Sequence, residues 1–214
     1  MISQNLGPII NQFVDDTIAE MIVEGVTLNI SNNSHVTLPN GEKGTECNGY
    51  FTDTPTPLFA VGSGKSVSEW FPVYVHEYGH FTQWRDKSPE WNNLWIDGIY
   101  YDDFLDLLVS GEGKFTDDQI NRFIDAAITI EADCERRVVE LVRRYKLPIE
   151  IEHYCQTANS YVHFYNYIKQ YHKWYIAGRE PYRIKEVYSQ FNKEIDDDFP
   201  LSWEYINLYE KYCF

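Results

Sequence analysis

The chain has 214 residues, 43% of them hydrophobic and 16% aromatic, enough apolar material for one compact core. Its formal net charge of −15 repels phosphate backbones and anionic membrane surfaces, so nucleic-acid binding and membrane association are both disfavoured. No apolar run reaches the length of a membrane span and no Lys or Arg precedes Lys43, so a cytoplasmic protein without a signal peptide is expected.

Residues 8–25 carry Ile9, Ile10, Phe13, Val14, Ile18, Met21 and Ile22 at helical spacing, and Gly25 suits the C-cap of that helix. Residues 26–30 and 35–38 alternate apolar and polar around Ser31-Asn-Asn-Ser34, the pattern of a two-stranded hairpin. From Pro39 to Thr56 the composition is that of a loop, with a strand-like island at 49–51. Residues 57–61 form a short apolar run, predicted as an edge strand, and Gly62-Ser-Gly-Lys65 ends it as a turn because the spacing of a phosphate loop is absent. Pro72 fits the first turn of a helix that continues through Trp84. A short helix is predicted over 101–109. Thr116 and Gln119 then form a capping box that opens the longest periodic segment, running to about Tyr145. A further aromatic-rich helix over 150–175, a helical stretch over 185–193, a solvated turn at Asp196-Asp-Asp198 and a short terminal helix near Tyr212 complete the chain.

The helix that follows Pro72 contains His76-Glu77-Tyr78-Gly79-His80, an H-E-x-x-H run. Positions i and i+4 share a helix face, so the imidazoles of His76 and His80 can converge on one metal ion, with Glu77 beside that face as a general base for water. Gly79 has no side chain and lets another element come close. On a helical wheel, Ile120, Ile124, Ala127, Val138, Val142 and Tyr145 fall within about 40° of Glu131, and Glu135 sits about 40° away on the same side. The charges of Asp133, Arg136, Arg137, Glu140, Arg143 and Arg144 occupy the opposite side. Two carboxylates on an apolar stripe need a counter-charge or a metal, and the two histidines need a third ligand. Cys47, Cys134, Cys155 and Cys213 lack metal-site spacing and read as reduced, packed thiols.

His76-Glu77-x-x-His80 followed by Glu131, within Glu131-Ala-Asp133-Cys-Glu135, resembles the gluzincin branch of zinc metallopeptidases, and most of all small, uncharacterised phage or bacterial metallopeptidase-like proteins. The resemblance covers residues 58–147. It implies that His76, His80 and Glu131 hold Zn2+, that Glu77 is the catalytic base, and that Glu135, which stands where a related motif has Asp, supports a liganding histidine from outside. It also implies an oxyanion donor, for which His153, Tyr154, Tyr161 and His163 are the available side chains.

The reading is therefore an α+β, zincin-like single domain over 1–214: a small, mainly antiparallel sheet beside the active-site helix, a metal-site core over 58–147 and a helical extension over 150–214. The expected function is zinc-dependent hydrolysis of a peptide or protein substrate, in a host cytoplasm if a phage encodes the chain. Residues 58–61 would pair with the substrate main chain. The alternatives are a zinc-stabilised regulatory or binding protein without peptidase activity, and a metal-free interaction protein.

Overall fold

A computed structural model describes residues 6–38 and 46–214, so the start of the predicted loop, residues 39–45, lies outside the described residues. In chain order the elements are α1 (Gly7–Val23), β1 (Thr27–Ser31), β2 (Val36–Thr37), β3 (Glu46–Cys47), β4 (Gly49–Thr52), β5 (Leu58–Gly62) and α2 (Val67–Arg85). They are followed by α3 (Pro89–Asn92), β6 (Trp95–Ile96), β7 (Ile99–Tyr100), α4 (Tyr101–Ser110), α5 (Asp117–Tyr145), α6 (Ile151–Val162), α7 (Phe164–Tyr171), α8 (Lys185–Tyr188) and α9 (Trp203–Tyr212). The class is α+β. No helix among the described residues is long and apolar enough to cross a membrane.

The contacts gather in two compact units, one formed by residues up to Ser88 with Arg137–Ile149, the other by Pro89–Arg136 with Glu150–Phe214. The first is built on a three-stranded sheet of order β1-β5-β4, with β1 parallel and β4 antiparallel to β5. Its core centres on Phe13 of α1, whose ring meets Phe71, Tyr74, Tyr78 and Tyr145 edge-on. The hydroxyls of Thr17 and Tyr74 share a hydrogen bond of 2.7 Å.

Three predictions are corrected in this unit. The two strands around Ser31-Asn-Asn-Ser34 do not form a hairpin: β1 pairs with β5, and β2 pairs with β3. The apolar run at 58–61 is no edge strand but the centre of the sheet, since Phe59, Ala60 and Val61 are buried and both of its sides are hydrogen-bonded to neighbours. An extended substrate therefore has no place to pair on β5. Finally, α2 starts six residues earlier than Pro72 suggests, because Ser66 and Glu69 form a capping box in which the Ser66 N–H donates to Glu69 at 3.3 Å.

In the second unit, Phe104 of α4 stacks on Phe123 of α5 with ring centroids 3.9 Å apart. The predicted capping box of α5 is present: Gln119 N–H donates to Thr116 Oγ1 at 3.2 Å, and Thr116 N–H to the Gln119 side chain at 3.1 Å. The long helix expected after Glu150 is broken at His163 and stops at Tyr171, and that expected over 185–193 is only the single turn of α8. Polar side chains account for the second difference: Gln156 and Asn159 of α6 hydrogen-bond carbonyls in 189–194 that a helix would have satisfied internally.

The turn after β5 packs backbone against backbone. A Cβ on Gly64 would stand 2.5 Å from the Asn32 carbonyl oxygen, closer than any relaxed contact allows. Gly64→Ala should cost about 1–3 kcal/mol, the range for overpacking, and lower the midpoint of thermal unfolding by several degrees. An unchanged midpoint would show that the turn is not packed this way.

Candidate metal centre

In the first unit α2 carries the histidine pair. Trp70, Phe71, Tyr74, Val75 and Phe81 are buried and fix the rotation of the helix about its axis. One turn apart, the rings of His76 and His80 lie perpendicular, with centroids 4.7 Å apart. His80 is buried and its Nδ1 shares a 2.8 Å hydrogen bond with Gln83 Oε1, an acceptor, so Nδ1 carries the proton and ligation would use Nε2. Glu77 is buried as well. The backbone of β4 lies against it, since a Cβ on Gly49 would come within 3.1 Å of Glu77 Cγ and 3.0 Å of Val73 Cγ1. Gly49 is thus the close approach that keeps the Glu77 stem in one place.

Next to Gly49, the Cys47 thiol is pushed up to about 12, first by burial and then by the negative charge of Glu77. It is half-buried, while Cys134, Cys155 and Cys213 are buried.

At the C-terminal end of α2, Thr82 Oγ1 donates to the Gly79 carbonyl at 2.7 Å. Arg137, in the part of α5 that belongs to this unit, donates to Thr82 Oγ1 at 3.3 Å and to Asp86 at 2.9 Å. Glu20 of α1 accepts from Tyr78 and Arg85. The histidine-bearing helix is therefore tied by polar bonds to α1 and to the end of α5.

In the second unit Glu131 and Glu135 are 5% and 4% exposed, so the predicted buried stripe with two carboxylates is present. Tyr154 of α6 donates its phenol proton to Glu135. Around Glu131 stand three tyrosines, Tyr101, Tyr161 and Tyr165. Burial is the largest cause that raises each phenol well above its ordinary value. The charge of Glu131 adds to it, second in size for Tyr165 and behind a nearer negative or phenolic neighbour for Tyr101 and Tyr161. These phenols stay protonated at neutral pH. Tyr161 and Tyr165 share a 3.1 Å hydrogen bond.

The four donors considered for an oxyanion separate clearly. Tyr154 is committed to Glu135, and His163 is buried against Asp196 at 2.9 Å. His153 is exposed and its ring meets Tyr188. Tyr161 remains, half-buried and within the field of Glu131. Sequence reasoning did not single out Gln83, Gly49 or Cys47. Gln83 was visible as a polar residue three positions after His80, whereas nothing local marks a strand glycine that will face Glu77.

No family model matches the chain, and no curated protein or solved structure shows significant similarity to it.

The Glu77–Cys47 proximity has a measurable consequence. Glu77→Gln removes a like charge, so the Cys47 pKa should fall and its alkylation at pH 9 should speed up by roughly threefold to tenfold, that is, half a unit to one unit. The buried Cys134, Cys155 and Cys213 serve as internal references in the same mass-spectrometric time course. An unchanged Cys47 rate would mean that the two side chains are not neighbours.

Proposed function

We propose that the chain is a zincin-like, zinc-dependent metallopeptidase of the gluzincin kind, with His76, His80 and Glu131 as the ligands. The observation that carries the reading is the His76–His80 pair on a buried helix turn, with one imidazole oriented by Gln83 and a buried Glu77 between them. The donor chemistry supports it: two imidazoles and a carboxylate suit zinc and leave a position for water.

Zinc, when bound, supplies a Lewis acid that polarises the scissile carbonyl and brings the pKa of water toward about 7. Glu77 takes the proton from the attacking water as its oxygen bonds to the carbonyl carbon, then passes that proton to the amine as the C–N bond breaks. Tyr161, protonated and half-exposed, is the side chain best suited to donate to the developing oxyanion. With β5 enclosed, β4 is the edge strand that an extended substrate could join, and Gly49 places that edge against Glu77. Glu135, engaged with Tyr154, has the supporting role.

The alternative is a zinc-stabilised regulatory or binding protein without peptidase activity, which would keep the ligands but need no base.

The two readings part at Glu77. His80→Ala should abolish tight zinc binding in either, whereas Glu77→Gln should keep the metal and remove nearly all turnover only if the chain is a peptidase. Turnover of a peptide library unaffected by Glu77→Gln would exclude Glu77 as the base. Among the carboxylates, Glu131→Gln should eliminate tight binding, while Glu135→Gln should weaken it by about 10 to 100-fold. Zinc titration against a competing chelator separates them, and the reverse order would exchange their roles.

A further inference from the structure

Residues 189–199 form neither helix nor strand beyond the turn at their start, yet they are held at many points. Gln156, Asn159, His163 and Asn166 stand at spacings of three and four along α6 and α7, a polar stripe directed at this segment. Gln156 donates to the Phe191 carbonyl at 3.1 Å, Asn159 to that of Glu194 at 2.7 Å, and Asn166 to that of Phe199 at 3.0 Å. The Asp196 N–H donates in return to Asn159 Oδ1 at 3.1 Å. The segment is a strap fastened by side chains rather than by its own backbone.

The strap also grips α5. Arg136 Nη2 donates to the carbonyls of Asp196 and Asp197 at 2.8 and 3.0 Å, and Phe199 packs on Ala132 together with Val162, Ile128 and Ile195. Ile128, Ala132 and Arg136 lie four residues apart, one helical row beside the row that holds Glu131 and Glu135.

One of the four fasteners titrates. His163 is 4% exposed and its Nε2 lies 2.9 Å from Asp196 Oδ2, while its Nδ1 is buried with no hydrogen-bond partner among the described residues. Since a carboxylate only accepts, Nε2 carries the proton and Nδ1 a bare lone pair. The charged or titratable groups around the ring are Asp196 and Asp198 on the strap and Tyr205 on α9, with Arg136 on the strap carbonyls from α5. Phe191 and Phe199 complete the enclosure.

We propose that residues 189–199 are an acid-released strap with His163 as its sensor, whose opening withdraws support from the α5 turn that carries Glu131 and Glu135. A proton on Nδ1 would create a buried N–H without an acceptor, a costly state that opening relieves by returning the ring to water. Burial holds the His163 pKa below its ordinary value of 6.5, and Asp196 and Asp198 offset this only in part. The sign follows directly: the open form, with the ordinary pKa, binds the proton more readily, so the stabilisation present above pH 6.5 is lost as pH falls below it. At pH 5.5, one unit below, the strap should open more often, by up to about tenfold.

The strap inference needs no metal, and only its consequence for Glu131 and Glu135 draws on the zinc reading. Hydrogen exchange of the full-length, zinc-free chain tests it without substrate. After correction for the intrinsic pH dependence of exchange, amides of 189–199 and 128–136 should exchange severalfold faster at pH 5.5 than at pH 7.5, up to about tenfold. In His163→Gln, which keeps a donor for Asp196 but cannot titrate, that acceleration should vanish. A wild-type strap that stays closed at pH 5.5, or an equal acceleration in His163→Gln, overturns the proposal. Should His163→Gln lose protection already at pH 7.5, NMR titration of the wild-type ring decides: its midpoint must coincide with the onset of strap opening, and a His163 that remains neutral while the strap opens overturns it equally.

Discussion

A carboxylate on the apolar face of a helix loses its water and must be answered by a proton donor, a cation or a metal. Helix α5 buries two, Glu131 and Glu135, one turn apart. Much of the second unit is arranged around them: α6 supplies the Tyr154 phenol to Glu135, while Tyr101, Tyr161 and Tyr165 gather near Glu131 with their phenols held protonated. Phenols answer a buried carboxylate by donating hydrogen bonds to it, and the strap along the neighbouring row of α5 backs the same turn.

The first unit solves a complementary problem. Gln83 holds the Nδ1 of His80, which leaves Nε2 as the nitrogen open to a partner. The contact of β4 at Gly49 restrains the stem of Glu77. The network of Glu20, Tyr78, Arg85, Asp86 and Arg137 fastens the same helix to α1 and to the end of α5. Precise placement of one helix is the common result.

Helices whose period and caps coincide were legible in the sequence. Gly25 closes α1, Thr116 and Gln119 open α5, and the wheel of α5 placed Glu131 and Glu135 on its buried face. What failed was partner choice. The alternation of 27–31 and 36–37 marks strands but not their neighbours, and local pattern favoured a hairpin where β1 instead joins β5 through a long crossover. The apolar run at 58–61 does signal a strand buried on both faces, and such a strand belongs in the centre of a sheet. Residues 150–175 and 185–193 read as long helices because aromatic periodicity is counted and side-chain-to-carbonyl bonds are not. The histidine pair was explicit in the sequence, whereas Gly49 came to lie against Glu77 through a tertiary contact that no spacing encodes.

The claim on which the functional account rests is that His76, His80 and Glu131 bind one metal ion. Crystals of the zinc-loaded protein measured on both sides of the zinc absorption edge test it most directly. The account predicts one anomalous peak per chain, about 2.0–2.2 Å from a nitrogen of each histidine and a carboxylate oxygen of Glu131. A zinc-saturated crystal with no peak at His76 and His80, or with its peak elsewhere on the chain, would contradict it.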